Sequence, residues 1–131
     1  MRTSLCIATA LFAACAGVAL VAEAQAPGIK RTLLQRVDVG DNREVILGLA
    51  EISPGGSTGR HTHFGVETGY VVEGTTSLEI EGEVPRLLKA GDSYQIASGK
   101  VHDAKAVGDG ASKVLATYVV EKGKPLATPA K

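Results

Sequence analysis

The chain has three histidines. His61 and His63 stand two residues apart, Glu67 follows four residues after the second, and His102 lies much further along. In an extended strand, residues two apart project from the same face, so His61 and His63 can aim both imidazoles at one point. Glu67 joins them if the chain bends at Gly65, a residue type that permits the bend. His102 sits in Gly99-Lys100-Val101-His102, at the start of another expected strand, and a closed barrel brings it to the same place. Imidazole suits iron, nickel, copper and zinc, and a hard carboxylate also accommodates manganese, so the chemistry in prospect is that of a divalent metal. A His-x-His pair alone reads more readily as two surface histidines beside a solvated glutamate, since short pairs are common.

Such a site needs rigid strands around it. From Val37 onward short apolar runs alternate with glycine-rich turns, and no ten-residue stretch has clear helical periodicity. Strands are predicted at Glu44 to Ile52, Gly69 to Glu73, Thr75 to Ile80, Arg86 to Lys89, Ser93 to Ala97, Val101 to Val107 and Lys113 to Glu121. Turns such as Ser53-Pro54-Gly55-Gly56, Ala90-Gly91-Asp92 and Gly108-Asp109-Gly110 bound them. Many short strands at close spacing predict an antiparallel sandwich or barrel. Val45, Leu47 and Leu49 share one face of the first of these strands. The last is apolar on both faces, which predicts a central position rather than an edge. Apolar lining from these two strands would keep bulk water from the site.

With those elements in place, the spacing resembles a known family. Gly55-x5-His61-x-His63-x3-Glu67-x6-Gly74 agrees at every defined position with the first motif of the cupin superfamily. The second cupin motif runs glycine, five residues, proline, x, glycine, two residues, histidine, three residues, asparagine. Against it the chain offers Gly91, Ala97, Gly99, His102 and Ala106. Ala97 stands where proline is usual and Ala106 where asparagine is usual, departures expected to loosen the local structure without removing a ligand. The short gap from Thr75 to Ala90 is like that of small bacterial single-domain cupins, and the resemblance covers Val37 to Glu121.

The resemblance implies an all-β fold, a small double-stranded β-helix or jelly-roll barrel, that pairs as a homodimer through edge strands. It implies His61, His63, Glu67 and His102 as ligands to one divalent metal ion: iron, manganese, nickel or zinc. Three neutral nitrogens and one carboxylate leave such a complex with a single positive charge. Open positions in an octahedral complex can chelate a substrate through oxygen atoms or hold it beside dioxygen.

Residues 1–24, MRTSLCIATALFAACAGVALVAEA, form a basic tip, an uncharged apolar run and a small-x-small end. This is the pattern of a signal peptide cut after Ala24, and it predicts a periplasmic or secreted protein. A retained membrane anchor and a lipoprotein attached at Cys15 are the alternatives. Both cysteines, Cys6 and Cys15, fall inside this segment, so the mature chain carries no thiol and suits an oxidising compartment. Residues 25–36 are expected as a lead-in, 37–121 as a single domain and 122–131 (KGKPLATPAK) as a flexible tail. The total of 131 residues suffices for one core. Lys plus Arg and Asp plus Glu both total 14, which leaves no net basic charge to hold nucleic acid or an anionic bilayer.

Phe64 and Tyr70 flank the ligand segment and read as barrel filling rather than pocket lining. Tyr94 shares strand parity with Ile96 and is expected in the core. Arg60 and Lys100 adjoin ligands in sequence, so regular strands turn them away from the metal. Glu79, Glu81, Asp38 and Asp41 read as solvated charges. A fold shared by many chemistries does not name one. The leading expectation is a metal-dependent enzyme, a dioxygenase or other oxidoreductase acting on a small oxygen-bearing molecule, with Glu67 able to act as proton acceptor. An isomerase or lyase comes next. The competing expectation is a non-catalytic module that binds a carboxylate or sugar through the metal, since the mature chain offers no further histidine, no cysteine and no obvious acid/base pair.

Overall fold

The structure is a computed structural model that describes residues 27–131. The signal segment expected at residues 1–24, with both cysteines, lies outside the described residues. The order of elements is β1 (Ile29–Gly40), β2 (Arg43–Ile52), β3 (His61–Thr62), β4 (Gly65–Glu73), β5 (Thr75–Ile80), β6 (Arg86–Lys89), β7 (Ser93–Ile96), β8 (His102–Ala106), β9 (Ser112–Glu121) and β10 (Thr128–Pro129). They form two five-stranded antiparallel sheets, ordered β1-β2-β9-β4-β7 and β10-β3-β8-β5-β6. The fold is an all-β jelly roll.

Period-two burial explains how the sheets face each other. Along β9, Ser112, Val114, Ala116, Tyr118 and Val120 are buried while the residues between them are half-buried or exposed. Along β4, Gly65, Glu67, Gly69 and Val71 point inward and Val66, Thr68, Tyr70 and Val72 outward. The main core lies between the sheets and includes Ile52, Val71, Leu78, Ile80, Ile96 and Val114. Each such side chain contributes about 1.5–3 kcal/mol through removal of apolar surface from water. β9 lies between β2 and β4, the central position its two apolar faces predict. On β2 the core face is that of Ile46 and Ile52, and Val45, Leu47 and Leu49 lie half-buried on the other. Both faces of β2 are apolar, so its sequence did not distinguish them; the register Ile46↔Tyr118 does.

Two segments differ from expectation. Most of the lead-in is a strand rather than an unstructured segment: β1 starts at Ile29 and pairs with β2 from Ile29↔Ile52 to Gly40↔Arg43. An edge strand with one solvated side carries charges such as Lys30, Arg36 and Asp38, and these conceal its pattern. A tight turn closes the hairpin, with Asp41 and Asn42 at φ 48° and 56°, a conformation these residue types tolerate. The tail is also in place. Thr128 and Pro129 pair with Thr62 and His61, and Leu126 packs against the cluster of Ile46, Ala116, Tyr118 and Val120. Proline at an edge position fits, because its missing N–H is needed by no neighbour there.

Candidate metal centre

The two sheets converge on the four sequence-predicted ligands. His61 on β3 and His102 on β8 are register partners in one sheet. Glu67 on β4 belongs to the other, opposite Tyr118 of β9 and Ile96 of β7. His63 follows β3 directly, on the same side as His61, and all four side chains are buried. The chain bends at Phe64, one residue before the glycine expected to allow it. Gly65 is required for another reason: a Cβ there would lie 2.0 Å from the Val119 carbonyl oxygen. The approach to His61 is braced by buried Asp103, whose carboxylate accepts from Ser57 Oγ at 2.6 Å and Thr58 Oγ1 at 3.0 Å.

One ligand atom from each of the four lies within 4.8 Å of the others. His63 Nε2 and His102 Nε2 stand 2.9 and 3.2 Å from Glu67 Oε2. The other nitrogen of each ring faces a backbone carbonyl: His61 Nδ1 that of Gly59 at 2.6 Å, His102 Nδ1 that of Lys100 at 2.9 Å, and His63 Nδ1 that of Leu126. A carbonyl oxygen only accepts, so Nδ1 carries a hydrogen, and in the neutral ring Nε2 presents a lone pair inward. His63 Nε2, His102 Nε2 and Glu67 Oε2 are accordingly buried without a hydrogen-bond partner. Each orphaned group costs about 1–3 kcal/mol. A positive charge placed among them, a proton or a metal cation, removes the penalty. Three nitrogen donors and one carboxylate oxygen fit a divalent transition metal, and the backbone carbonyls supply the outer contacts that orient metal-binding histidines.

Electrostatics agree with that reading. Burial pushes the His61 imidazole down to about 4, with the Gly59 carbonyl offsetting only part of the effect, so the ring is uncharged near neutral pH. Burial alone would raise the Glu67 carboxyl, but hydrogen bonds from the His102 and His63 rings, when a proton sits on Nε2, and from the Tyr94 hydroxyl outweigh it and hold the group well below the usual range; a metal cation in the proton's place would act in the same sense. Tyr94 donates its O–H to Glu67 Oε1 at 2.6 Å, which turns Oε2 toward the histidines. Burial and the Glu67 charge push the Tyr94 phenol upward. Tyr118 is raised by the same two causes, with Arg31 opposing them. Both phenols stay protonated.

His61, His63, Glu67 and His102 are therefore brought together as expected. Phe64 and Tyr70 do not fill the barrel: they are 40% and 49% exposed. Tyr70 has the outward parity of β4, and the Lys124 ammonium sits 5.2 Å from the centroid of the Phe64 ring. The inward aromatic positions belong to Tyr94 and Tyr118. Arg60 and Lys100 lie at the surface, Arg60 facing Glu81 at 3.2 Å. Glu79 pairs with Lys105 at 2.9 Å. The turn that lacks the usual proline is closed by Lys100 N donating to the Ala97 carbonyl at 3.2 Å and Gly99 N donating to that of His63 at 3.0 Å. Ala106 is buried in the core.

Sequence reasoning missed two residues at this site. Tyr94 was expected only as core. The signal for its role is Gly69, its register partner, where a Cβ would lie 2.2 Å from the tyrosine ring. Arg31, from the supposed lead-in, lines a void of ≈ 20 Å³ beside His61, Glu67 and His102, room for about one water. That void adjoins an outer groove of ≈ 700 Å³, and the two share Arg31, Ala50, Thr58, His61 and Tyr118.

Comparison with known proteins agrees with this architecture. Residues 48–121 match the family described as Cupin domain. No curated protein matches the chain. Among solved structures, KdgF from Halomonas sp. is 24% identical with a TM-score of 0.58, covering 71% of this chain and 80% of that one. A cupin superfamily protein from Desulfitobacterium hafniense is 18% identical with a TM-score of 0.59, covering 76% and 84%. Oxalate oxidase in complex with glycolate is 21% identical with a TM-score of 0.63; the match covers 78% of this chain but only 55% of that one. At these identities the structural likeness establishes the fold, and together with the family match it leads to one conclusion: the chain belongs to the cupin family.

Proposed function

We propose that this protein is a metal-dependent enzyme, an oxidoreductase of the dioxygenase kind acting on a small oxygen-bearing molecule. The observation that carries this reading is the convergence of histidine lone pairs and one carboxylate oxygen, buried and lacking hydrogen-bond partners. A divalent iron, manganese, nickel or zinc ion held there would supply Lewis acidity and a template for substrate oxygens, with redox chemistry where the metal permits it. The chain's own residues do the rest. Tyr94 occupies Oε1 of Glu67, so Oε2 is the oxygen available both to a metal and, during turnover, to a proton. Core side chains such as Leu78, Val114 and Ala116 line the inner void and exclude bulk water. Two structural relatives support small-molecule chemistry on this fold: the oxalate oxidase bound to glycolate and a protein described among DMSP lyases. The signal-like N-terminus supports export to the periplasm or medium. Exposed Val66, Tyr70 and Val72 on the outer face of β4 support association of two copies.

A second reading, a non-catalytic module that holds a small carboxylate or sugar through the metal, is favoured by one observation. Apart from His61, Glu67 and His102, the titratable groups lining the inner void are Tyr94 and Tyr118, both kept protonated, and Arg31. Metal analysis of protein purified without a polyhistidine tag is expected to find about one metal ion per chain. Oxygen uptake across phenolic, diketone and small-acid substrates under Fe(II) loading then separates the readings. Turnover supports the enzyme, and full metal content without turnover across the panel supports the binding module. Absence of bound metal refutes both.

A further inference from the structure

The passage from solvent to the ligands is uneven in charge. Three arginines, Arg31, Arg36 and Arg60, line the outer groove, and no aspartate or glutamate does among the described residues. Arg36 and Arg60 are exposed at the rim and face Glu44 at 3.5 Å and Glu81 at 3.2 Å. Arg31 differs in position: it also lines the inner void, so its side chain stands at the neck with Thr58 and Tyr118. Its Nη2 donates to the Thr58 carbonyl at 3.4 Å, a long hydrogen bond that holds the guanidinium there. Leu33, Ile46, Leu49 and Leu126 make much of the remaining wall apolar.

We infer that the pocket selects an organic anion, a small carboxylate with an apolar body, whose charge is received by Arg31 at the neck and whose body lies in the groove. This rests on the metal-site reading above and names the ligand class for it. A guanidinium fork matches a carboxylate with parallel donors, and in a half-buried neck that attraction is screened less than at the surface. Three neutral imidazoles and one carboxylate around a divalent cation leave a net positive charge, so the centre attracts the same anion. An uncharged ligand of equal shape gains neither interaction.

Calorimetric titration of Co(II)-loaded protein with mandelate and with its uncharged amide, mandelamide, tests the inference. Wild type is expected to bind mandelate at least about tenfold more tightly than mandelamide, the worth of one charge-assisted contact. Arg31→Gln should cut that preference several-fold while keeping one Co(II) per chain, the charge of the metal centre sustaining what is left, and Arg31→Lys should restore part of the loss. Added salt should weaken mandelate and leave mandelamide unchanged, a readout on wild type that does not depend on the variants folding. Equal binding of the two probes by wild type, binding of neither, or an undiminished preference for mandelate in folded Arg31→Gln overturns the anion inference and leaves the metal site standing. Failure of wild type to take up Co(II) overturns the metal reading and this inference with it.

Discussion

Replacing Tyr94 by phenylalanine removes one oxygen atom and leaves the ring in its place over Gly69. The lost contact is the hydroxyl's 2.6 Å hydrogen bond to Glu67 Oε1, between two buried groups of which one is ionised. Charge-assisted hydrogen bonds contribute about 1.5–3 kcal/mol. Glu67 would then have Oε1 orphaned, its carboxyl free to rotate and its negative charge less stabilised. Because 1.4 kcal/mol is a factor of ten, Tyr94→Phe should weaken metal binding roughly 10- to 100-fold, a range typical of outer contacts to metal ligands. Competition of the protein with a chromophoric chelator for Co(II) or Zn(II) measures this directly. Thermal unfolding with and without metal should show a matching loss of metal-induced stabilisation. Tyr70→Phe, which alters an exposed hydroxyl on the outer face of the same sheet, should change neither. Metal affinity of Tyr94→Phe within twofold of wild type would refute the assignment of Tyr94 as the residue that orients Glu67.

Further outcomes follow from the same geometry. His63→Ala removes one of four converging donors and should reduce metal content to a small fraction of one ion per chain; full content by elemental analysis sinks the ligand assignment. Gly69→Ala would place a methyl group 2.2 Å from the Tyr94 ring. It should cost about 1–3 kcal/mol of stability and reproduce the metal defect of Tyr94→Phe, whereas an unchanged melting temperature contradicts the close approach. Truncation after Lys124 deletes the Leu126 carbonyl that accepts from His63 Nδ1, and should weaken Zn(II) binding about 10- to 100-fold in the chelator assay; wild-type affinity would show that the tail does not position His63. With chelator present, stability should fall on acidification from neutral pH to about pH 4. His61 is depressed from 6.5 to about 4, so within that window the unfolded chain binds the proton that the folded chain refuses, at no more than about 1.4 kcal/mol per pH unit. Glu67 acts in the same sense at lower pH: its depressed folded value contributes stability above the unfolded 4.5 that is lost as pH falls further. His61→Gln should flatten the upper part of the melting profile, and a wild-type profile flat over this range would show that the ring is not buried uncharged.

The four ligands were legible in the chain because their chemistry is carried by residue type and local spacing. His61 and His63 share a strand face whatever the fold, and the glycines around them mark where strands must turn. The succession of strands was legible for the same reason, since period-two burial and turn residues are local properties. Local pattern also failed in recognisable places. β1 was hidden because an edge strand with exposed Leu33, Val37 and Val39 and interspersed charges does not alternate. The tail was hidden because two prolines and a short pairing to β3 resemble a frayed end until the partner strand is known.

What the sequence by itself determined was therefore the donor set and the all-β scaffold, including the two-part spacing that family membership explains. What only the tertiary structure decided is everything that depends on register between distant strands. It set Tyr94 against Glu67, gave Arg31 to the neck, put Phe64 and Tyr70 outside, and supplied a carbonyl from residue 126 to a histidine at residue 63. Hydrogen bonds and cavities are made between residues far apart in the chain. Their partners are chosen by how two sheets pack, and no local pattern encodes that choice.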